Sequence, residues 1–240
     1  MNAIYTSILH AKKNQQKLLA ILIDPDKTKV SMVQLMAVKI NQSPADFVFV
    51  GGSSVQNENL DNLIVKLKKF CKLPILLFPG SYAQISGHAH GILFLSLISG
   101  RNPDFLIDNQ IKAVPILKKT NLEIISTAYI LIKTGSKTAV EVVSKTESLS
   151  QTDTELIIHT AQAGELLGHK LIYLEAGSGA DQPISDKIIK LVAQNVSLPL
   201  IVGGGIKSLK EIEYAYQSGA DLVVIGTAFE NDTNFFEKRN

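Results

Sequence analysis

The sequence predicts an α/β fold of the TIM (β/α)8-barrel class, and three observations predict it. Short apolar runs alternate with helices or loops eight times along the chain, the pattern of a parallel sheet whose strands are covered on both faces. The last two runs, Leu200-Ile201-Val202-Gly203-Gly204-Gly205-Ile206 and Leu222-Val223-Val224-Ile225-Gly226-Thr227-Ala228, end in glycine and lead into helices. Paired turns of that kind, about twenty residues apart, match the phosphate site after strands seven and eight of such a barrel. The chain has 240 residues, close to the roughly 250 of one barrel, so a single domain over residues 1–240 is expected. An open doubly wound sheet is the alternative, but it carries its glycine turn after the first strand, where this chain has acids.

The elements follow in order. Residues 1–16 read as an opening helix with Ile4, Ile8 and Leu9 on one side, and Leu18–Ile23 as the first strand, stopped by Asp24-Pro25-Asp26-Lys27. Residues 30–40 read as a helix burying Val30, Val33, Leu35, Met36 and Ile40, at roughly helical spacing. The second strand, Phe47–Val50, ends in Gly51-Gly52-Ser53-Ser54, and residues 56–70 form the next helix. The third strand, residues 74–78, is closed by Pro79-Gly80-Ser81, and residues 82–90 are too poor in helical pattern for a full helix. Residues 91–96 are the fourth strand, and 104–117 are helical with an interruption near Pro115. Residues 123–130 are the fifth strand, and 133–151, rich in Ser, Thr, Gly and Lys, read as a long loop of the kind that is often functional. A helix over 152–167 offers Leu156, Ile157, Ala161 and Leu166 for packing. The sixth strand, residues 170–174, precedes Glu175-Ala176-Gly177-Ser178-Gly179, and a helix over 184–194 opens near Pro183 and Ser185. Strands seven and eight are the glycine-ended pair, separated by a helix over 209–218, and residues 231–238 close the chain.

Composition narrows the function classes. Apolar residues make up 45%, enough for a sizeable core, and a net charge of +2 without a basic run gives no reason to expect nucleic acid. Cys71 is the sole cysteine, which excludes an intramolecular disulfide or cysteine metal cluster and fits a reduced, cytoplasmic setting. No apolar run approaches the roughly 20 residues of a transmembrane segment, and no signal peptide is expected.

The chemistry concentrates at strand ends, which share one rim of a barrel. Asp24 and Asp26 are either turn and cap residues or carboxylate ligands for a hard cation beside a diphosphate, with Asp24, at the strand end, the ligand and Asp26 the turn residue. Arg101 and Lys133 are candidate diphosphate contacts or plain surface cations. Strand alternation puts Tyr173 and Glu175 on one face, where a phenol and a carboxylate can hold the hydroxyls of a polyol. The following Ala-Gly-Ser-Gly turn offers N–H groups and the Ser178 hydroxyl to a phosphate. Five histidines show no ligand spacing, so no zinc site is expected.

Together these residues resemble the geranylgeranylglyceryl phosphate synthase family, which includes the bacterial PcrB group. The resemblance runs through Leu22–Lys27, Val50-Gly51-Gly52-Ser53, Phe78-Pro79-Gly80, Tyr173–Gly179, Val202–Ile206 and Ile225-Gly226-Thr227, and so through nearly the whole chain. It implies a modified TIM barrel with the third helix replaced by irregular chain, at residues 82–90. It implies a prenyltransferase joining the 3-hydroxyl of sn-glycerol 1-phosphate to a polyprenyl diphosphate, geranylgeranyl diphosphate being the expected donor, with Mg2+, in ether-lipid synthesis. Asp24 and Ser53 match the magnesium positions. Tyr173, Leu174, Glu175, Ala176, Gly177, Ser178, Gly179, Gly204, Gly205, Gly226 and Thr227 match the glycerol 1-phosphate positions. Glu175 would orient and deprotonate the attacking hydroxyl, Tyr173 would position it, and Asp24 would act through the metal. Residues 95–103 resemble the family's second group, which implies a homo-oligomer, a dimer or a hexamer, and the lipid product implies transient membrane-surface contact. The apolar tail would lie along the outer rim near residues 82–90 and the loop after strand four, with Leu93, Leu95, Leu97 and Ile130 as candidate linings. The rival readings are a barrel acting on a phosphorylated sugar or amino-acid precursor, an FMN barrel, and a non-catalytic barrel that only binds a phosphorylated ligand.

Overall fold

The computed structural model describes residues 3–52 and 57–237. Nine strands are found there: β1 (Leu18–Ile23), β2 (Phe47–Val50), β3 (Ile75–Leu77), β4 (Gly91–Leu97), β5 (Glu123–Lys133), β6 (Leu149–Ser150), β7 (Leu171–Glu175), β8 (Leu200–Gly203) and β9 (Leu222–Ile225). All pair in parallel. The neighbours run β4-β3-β2-β1-β9-β8-β7-β5, and β4 pairs with β5, so eight strands close into a barrel while β6 clips onto the far end of β5.

Closure explains why the runs are apolar without a break. Alternate side chains point inward, as Ala20, Phe49, Leu93, Tyr129, Tyr173 and Val224 do, and fill the barrel. The residues between them, such as Ile21, Val48, Ile130, Leu174, Val202 and Val223, face the surrounding helices. Those helices are α1 (Ala3–Lys13), α2 (Val33–Gln42), α3 (Asn57–Phe70), α4 (Asn109–Leu117), α5 (Ala139–Ser144), α6 (Thr154–Leu166), α7 (Asp186–Asn195), α8 (Leu209–Gln217) and α9 (Thr227–Asn231). α1 differs from the rest: its Ile4, Ile8 and Ala11 join the inner cluster and plug the end of the barrel where strands begin.

The expected order of elements holds, with three corrections. The expected long loop at 133–151 contains α5 and β6, and β5 itself continues to Lys133. The helix at α4 is not interrupted: it runs through Pro115 to Leu117, after a π-helical turn at Asp104–Asp108. The proline leaves the Ile111 carbonyl without its helical donor, and the exposed side on which Ile111 stands lets water serve instead. Leu9, Val30, Leu35, Leu156 and Leu166, expected to pack inward, are exposed. Leu9, Leu35 and Leu156 each adjoin the buried Ile8, Met36 or Ile157, and one residue along a helix turns the side chain about 100° from the buried stripe. Between β3 and β4 there is no helix, only turns, so the barrel has a gap in its helical layer at residues 82–90. No helix among the described residues is long and apolar enough to cross a membrane.

Candidate active site

The strand ends named above meet at one cavity of about 730 Å³, within the ordinary range for small-molecule sites. Its floor is aromatic. Tyr173 stacks on Phe78 at 5.2 Å between ring centroids, and Tyr129, paired in register with Tyr173, packs against both rings at 5.4 and 5.8 Å. On one side of this floor the walls are glycines, hydroxyls and charges; on the other they are Ile85, Phe94, Leu95, Leu97, Phe105 and Ala113. These apolar residues come from the irregular chain after β3, from β4, and from the π-helical turn and α4, on the side of the barrel that lacks its third helix.

On the polar side, β7 delivers Tyr173 and Glu175. The Glu175 carboxylate is buried, and Oε1 accepts the Gly177 N–H at 2.6 Å. Burial pushes its carboxyl up to about 7, although the Gly177 N–H and the Tyr173 phenol act in the opposite direction. The Tyr173 phenol is held well above its usual value by burial and by the adjacent carboxylate. Tyr173 Oη lies beside the Glu175 carboxylate and meets strict hydrogen-bond geometry with no group among the described residues. Gly203 makes the approach of both groups possible, since a Cβ there would run into Tyr173 Oη and Glu175. At Gly204 the chain turns with φ +82°, and a side chain would strike Glu175 Oε1 and the Gly177 nitrogen.

Ser178, Gly179, Gly204, Gly205, Gly226 and Thr227 all line the cavity, so the turns after β7, β8 and β9 converge as expected. Leu174 and Ala176 do not line it: their side chains belong to the outer apolar layer, and Gly177 sits behind the turn. Asp24 lines the cavity, while Asp26 is exposed and its N–H donates to Asp24 Oδ1 at 3.0 Å. Ser53 lies outside the described residues.

Several expectations about neighbours need correcting. Arg101 does not reach this cavity; its Nη1 donates to the carbonyls of Ile98 and Gly100 beside a separate open hollow. Lys133 is exposed and lines neither cavity. The cations that do line the main cavity are Lys27, 3.3 Å from Asp24 Oδ2, and Lys207. Of the four apolar linings expected, Leu95 and Leu97 are present, whereas Leu93 and Ile130 are core residues. Glu230, from the far end of the chain, accepts the Asp24 N–H at 2.8 Å and approaches Lys27 at 4.0 Å. Burial holds its carboxyl above the usual range. Nothing local in the sequence marks Glu230. Tyr129 was legible in principle, as an aromatic at the inward period of its strand.

The fold and cavity define a class: a (β/α)8 barrel with glycine turns at its rim, whose rim site carries polar groups on one side and apolar ones on the other. The PcrB family model matches residues 11–239. The geranylgeranylglyceryl phosphate synthase of Flavobacterium johnsoniae is 58% identical over 99% of this chain and 98% of its own. The enzyme of the same name from Pyrococcus horikoshii is 38% identical over 96% of this chain and 91% of its own. The crystal structure of (S)-3-O-geranylgeranylglyceryl phosphate synthase from Thermoplasma acidophilum, in complex with substrate sn-glycerol-1-phosphate, superposes with a TM-score of 0.92. It is 29% identical and the match covers 98% of this chain and 94% of that one. The chain belongs to the PcrB family, that of the geranylgeranylglyceryl phosphate synthases.

Proposed function

We propose that this protein joins the 3-hydroxyl of sn-glycerol 1-phosphate to a polyprenyl diphosphate, with geranylgeranyl diphosphate the expected donor, at the cavity described above. It is a prenyltransferase of ether-lipid synthesis, and the sugar-phosphate, FMN and non-catalytic readings give way to that family assignment. The observation that carries the residue roles is the buried Glu175, poised near neutrality between a polar mouth and an apolar arm.

Glu175 orients the acceptor hydroxyl and takes its proton as the new carbon–oxygen bond forms and the C1–O bond to diphosphate breaks. A base with a value of about 7 is matched to work near neutral pH. The Tyr173 hydroxyl, beside Glu175, supplies the polyol with a hydrogen-bond partner. Backbone N–H groups at Gly204, Gly205 and Gly226, with the Thr227 and Ser178 hydroxyls, hold the phosphate. Both reactants are then fixed for an effectively unimolecular step. The apolar arm takes the tail, where each buried CH2 contributes roughly 0.8 kcal/mol.

The donor end fits Mg2+ in its chemistry. Asp24 presents a carboxylate to the cavity, and Gly52 keeps backbone beside it, where a Cβ would sit 3.0 Å from Oδ1. Mg2+ characteristically takes one or two carboxylates and completes its shell with phosphate oxygens and water. Bound there, it would neutralise charge on the departing diphosphate. Lys27 adds a fixed positive charge at the same wall. Asp24→Asn is expected to lower kcat by more than tenfold with little change in melting temperature; unchanged kcat at saturating Mg2+ removes Asp24 from the metal role.

The assembly is a homo-oligomer, dimer or hexamer, in keeping with the exposed Ile107 of the π-helical turn and Ile111 and Val114 of α4. A cytoplasmic setting with transient membrane-surface contact suits a single free thiol and a lipid product. The deciding experiment incubates the protein with Mg2+, radiolabelled sn-glycerol 1-phosphate and prenyl diphosphates of several lengths. Label should pass to the organic phase, most strongly with the geranylgeranyl donor; label that stays aqueous with every donor ends this reading.

A further inference from the structure

Glu141 belongs to none of the motifs that mark the rim, yet it is tied into the site wall. It is buried, 7% exposed, on α5, whose Ala139, Val140 and Val143 line the cavity. Its carboxylate accepts four hydrogen bonds. Oε2 takes the Thr138 N–H at 2.7 Å and the Thr138 hydroxyl at 3.1 Å; Oε1 takes the Ser148 N–H at 3.0 Å and the Ser148 hydroxyl at 2.7 Å. Thr138 Oγ1 accepts the Glu141 N–H at 3.2 Å, completing a capping box. One carboxylate thus clamps both ends of the 138–148 excursion. Burial works against its charge, but the four donors outweigh it and hold the carboxyl below its ordinary value.

The clamp reaches the site through Thr138. The Thr138 Cβ and Cγ2 occupy the space that a side chain on Gly177 would need, and Gly177 turns with φ +102°. The Gly177 N–H is the donor that holds Glu175 Oε1, and Ser178 follows it in the chain. A second tie is the Thr134 hydroxyl, which donates to the Ala176 carbonyl at 3.3 Å. A helix cap made only for local stability would stop at Thr138 and Ser148; this one ends against the turn that carries the acceptor site.

We infer that Glu141 is a positioning residue for acceptor binding: it presses Thr138 against Gly177 and so fixes the Glu175–Ser178 turn. The inference rests on the functional reading above, that sn-glycerol 1-phosphate binds at this turn. The test measures the dissociation constant of sn-glycerol 1-phosphate by calorimetry on the full chain, with melting temperature alongside. Three proteins are compared: unmodified, Glu141→Gln and Thr138→Ser. Glu141→Gln replaces one acceptor oxygen by an amide donor, and affinity is expected to fall about tenfold. Thr138→Ser keeps the cap hydroxyl and loses only the methyl that meets Gly177, so affinity should fall about threefold at nearly unchanged melting temperature. Should Glu141→Gln fail to fold, Thr138→Ser decides alone. Unmodified affinity in the folded variants, with or without a loss of melting temperature, overturns the role of Glu141 and leaves the functional reading intact. No binding by the unmodified protein overturns the functional reading and this inference with it.

Discussion

At the end of the barrel where the strands begin, polar side chains, half-buried for the most part, are matched to partners. Glu123 caps α1, accepting the N–H groups of Ile4 and Tyr5 at 2.8 and 2.7 Å. Asp221 takes the Leu200 N–H at 2.8 Å and the Lys12 ammonium at 2.7 Å, Asp46 takes the Leu19 N–H at 2.9 Å, and His90 Nδ1 takes the Ile75 N–H at 2.9 Å. At the end where the strands finish, Glu175 is buried with one N–H donor, the Tyr173 hydroxyl beside it meets strict hydrogen-bond geometry with no group among the described residues, and Asp24 and Glu230 share Lys27. The same barrel therefore gives its polar groups full sets of partners at one end, and at the other holds a deeply buried carboxylate and phenol with few. An unsatisfied buried group costs stability unless a ligand completes it, so the difference separates the part of the molecule that holds the fold from the part that does chemistry.

The sharpest way to test this contrast is Glu175→Gln, a near-isosteric change at the unsatisfied end. Turnover should fall by about 10² to 10⁴, the usual worth of a general base, while the protein stays folded. A kcat/KM for sn-glycerol 1-phosphate near that of the unmodified enzyme would take Glu175 out of the proton-transfer role.

The pH dependence should then separate activity from stability. The folded-state value of Glu175, about 7, exceeds its ordinary 4.5, so the folded protein keeps a proton that the unfolded chain releases. This contribution is fully present below pH 4.5 and is lost as pH rises through 7, by up to roughly 3 kcal/mol. Activity needs the ionised form and should rise over the same window. Urea titrations at pH 5 and pH 8 should show the unmodified protein losing stability relative to Glu175→Gln; parallel behaviour of the two would mean that Glu175 is not strained by burial.

At the satisfied end, Asp221→Ala should do the reverse. It strips a partner from the buried Leu200 N–H and from Lys12, at a cost of about 2 kcal/mol, and should leave kcat for folded protein unchanged. A drop in kcat without loss of stability would break the division between the two ends.

The smallest effect belongs to Gly204→Ala. Its positive φ and the nearness of Glu175 Oε1 make any side chain intrusive, so the dissociation constant for sn-glycerol 1-phosphate should rise about tenfold. Unaltered affinity would place the phosphate elsewhere.

Much of the rim was legible because it rests on local signals. Glycine-ended apolar runs announced the β8 and β9 turns, and a two-residue period put Tyr173 and Glu175 on one face. The weak helical pattern at 82–90 correctly foretold the gap in the helical layer. What was missed falls into two kinds. The α5 helix carried a readable signal, Thr138 followed three residues on by Glu141, but the polar composition of 133–151 concealed it. Glu230 and Lys207, by contrast, carried none, and Arg101 and Lys133 looked equally good as cations until the chain was folded.

The sequence alone determined the barrel, the order of its strands and the glycine turns at its rim, because periodicity and backbone freedom are properties of neighbouring residues. The tertiary structure decided which charges share a cavity, as with Asp24 and Glu230, 206 residues apart, and which ones lie idle on the surface. It alone decided that Glu175 is pushed up to about 7, since desolvation and the hydrogen bonds that oppose it depend on what closure of the barrel brings close and on the water it drives out.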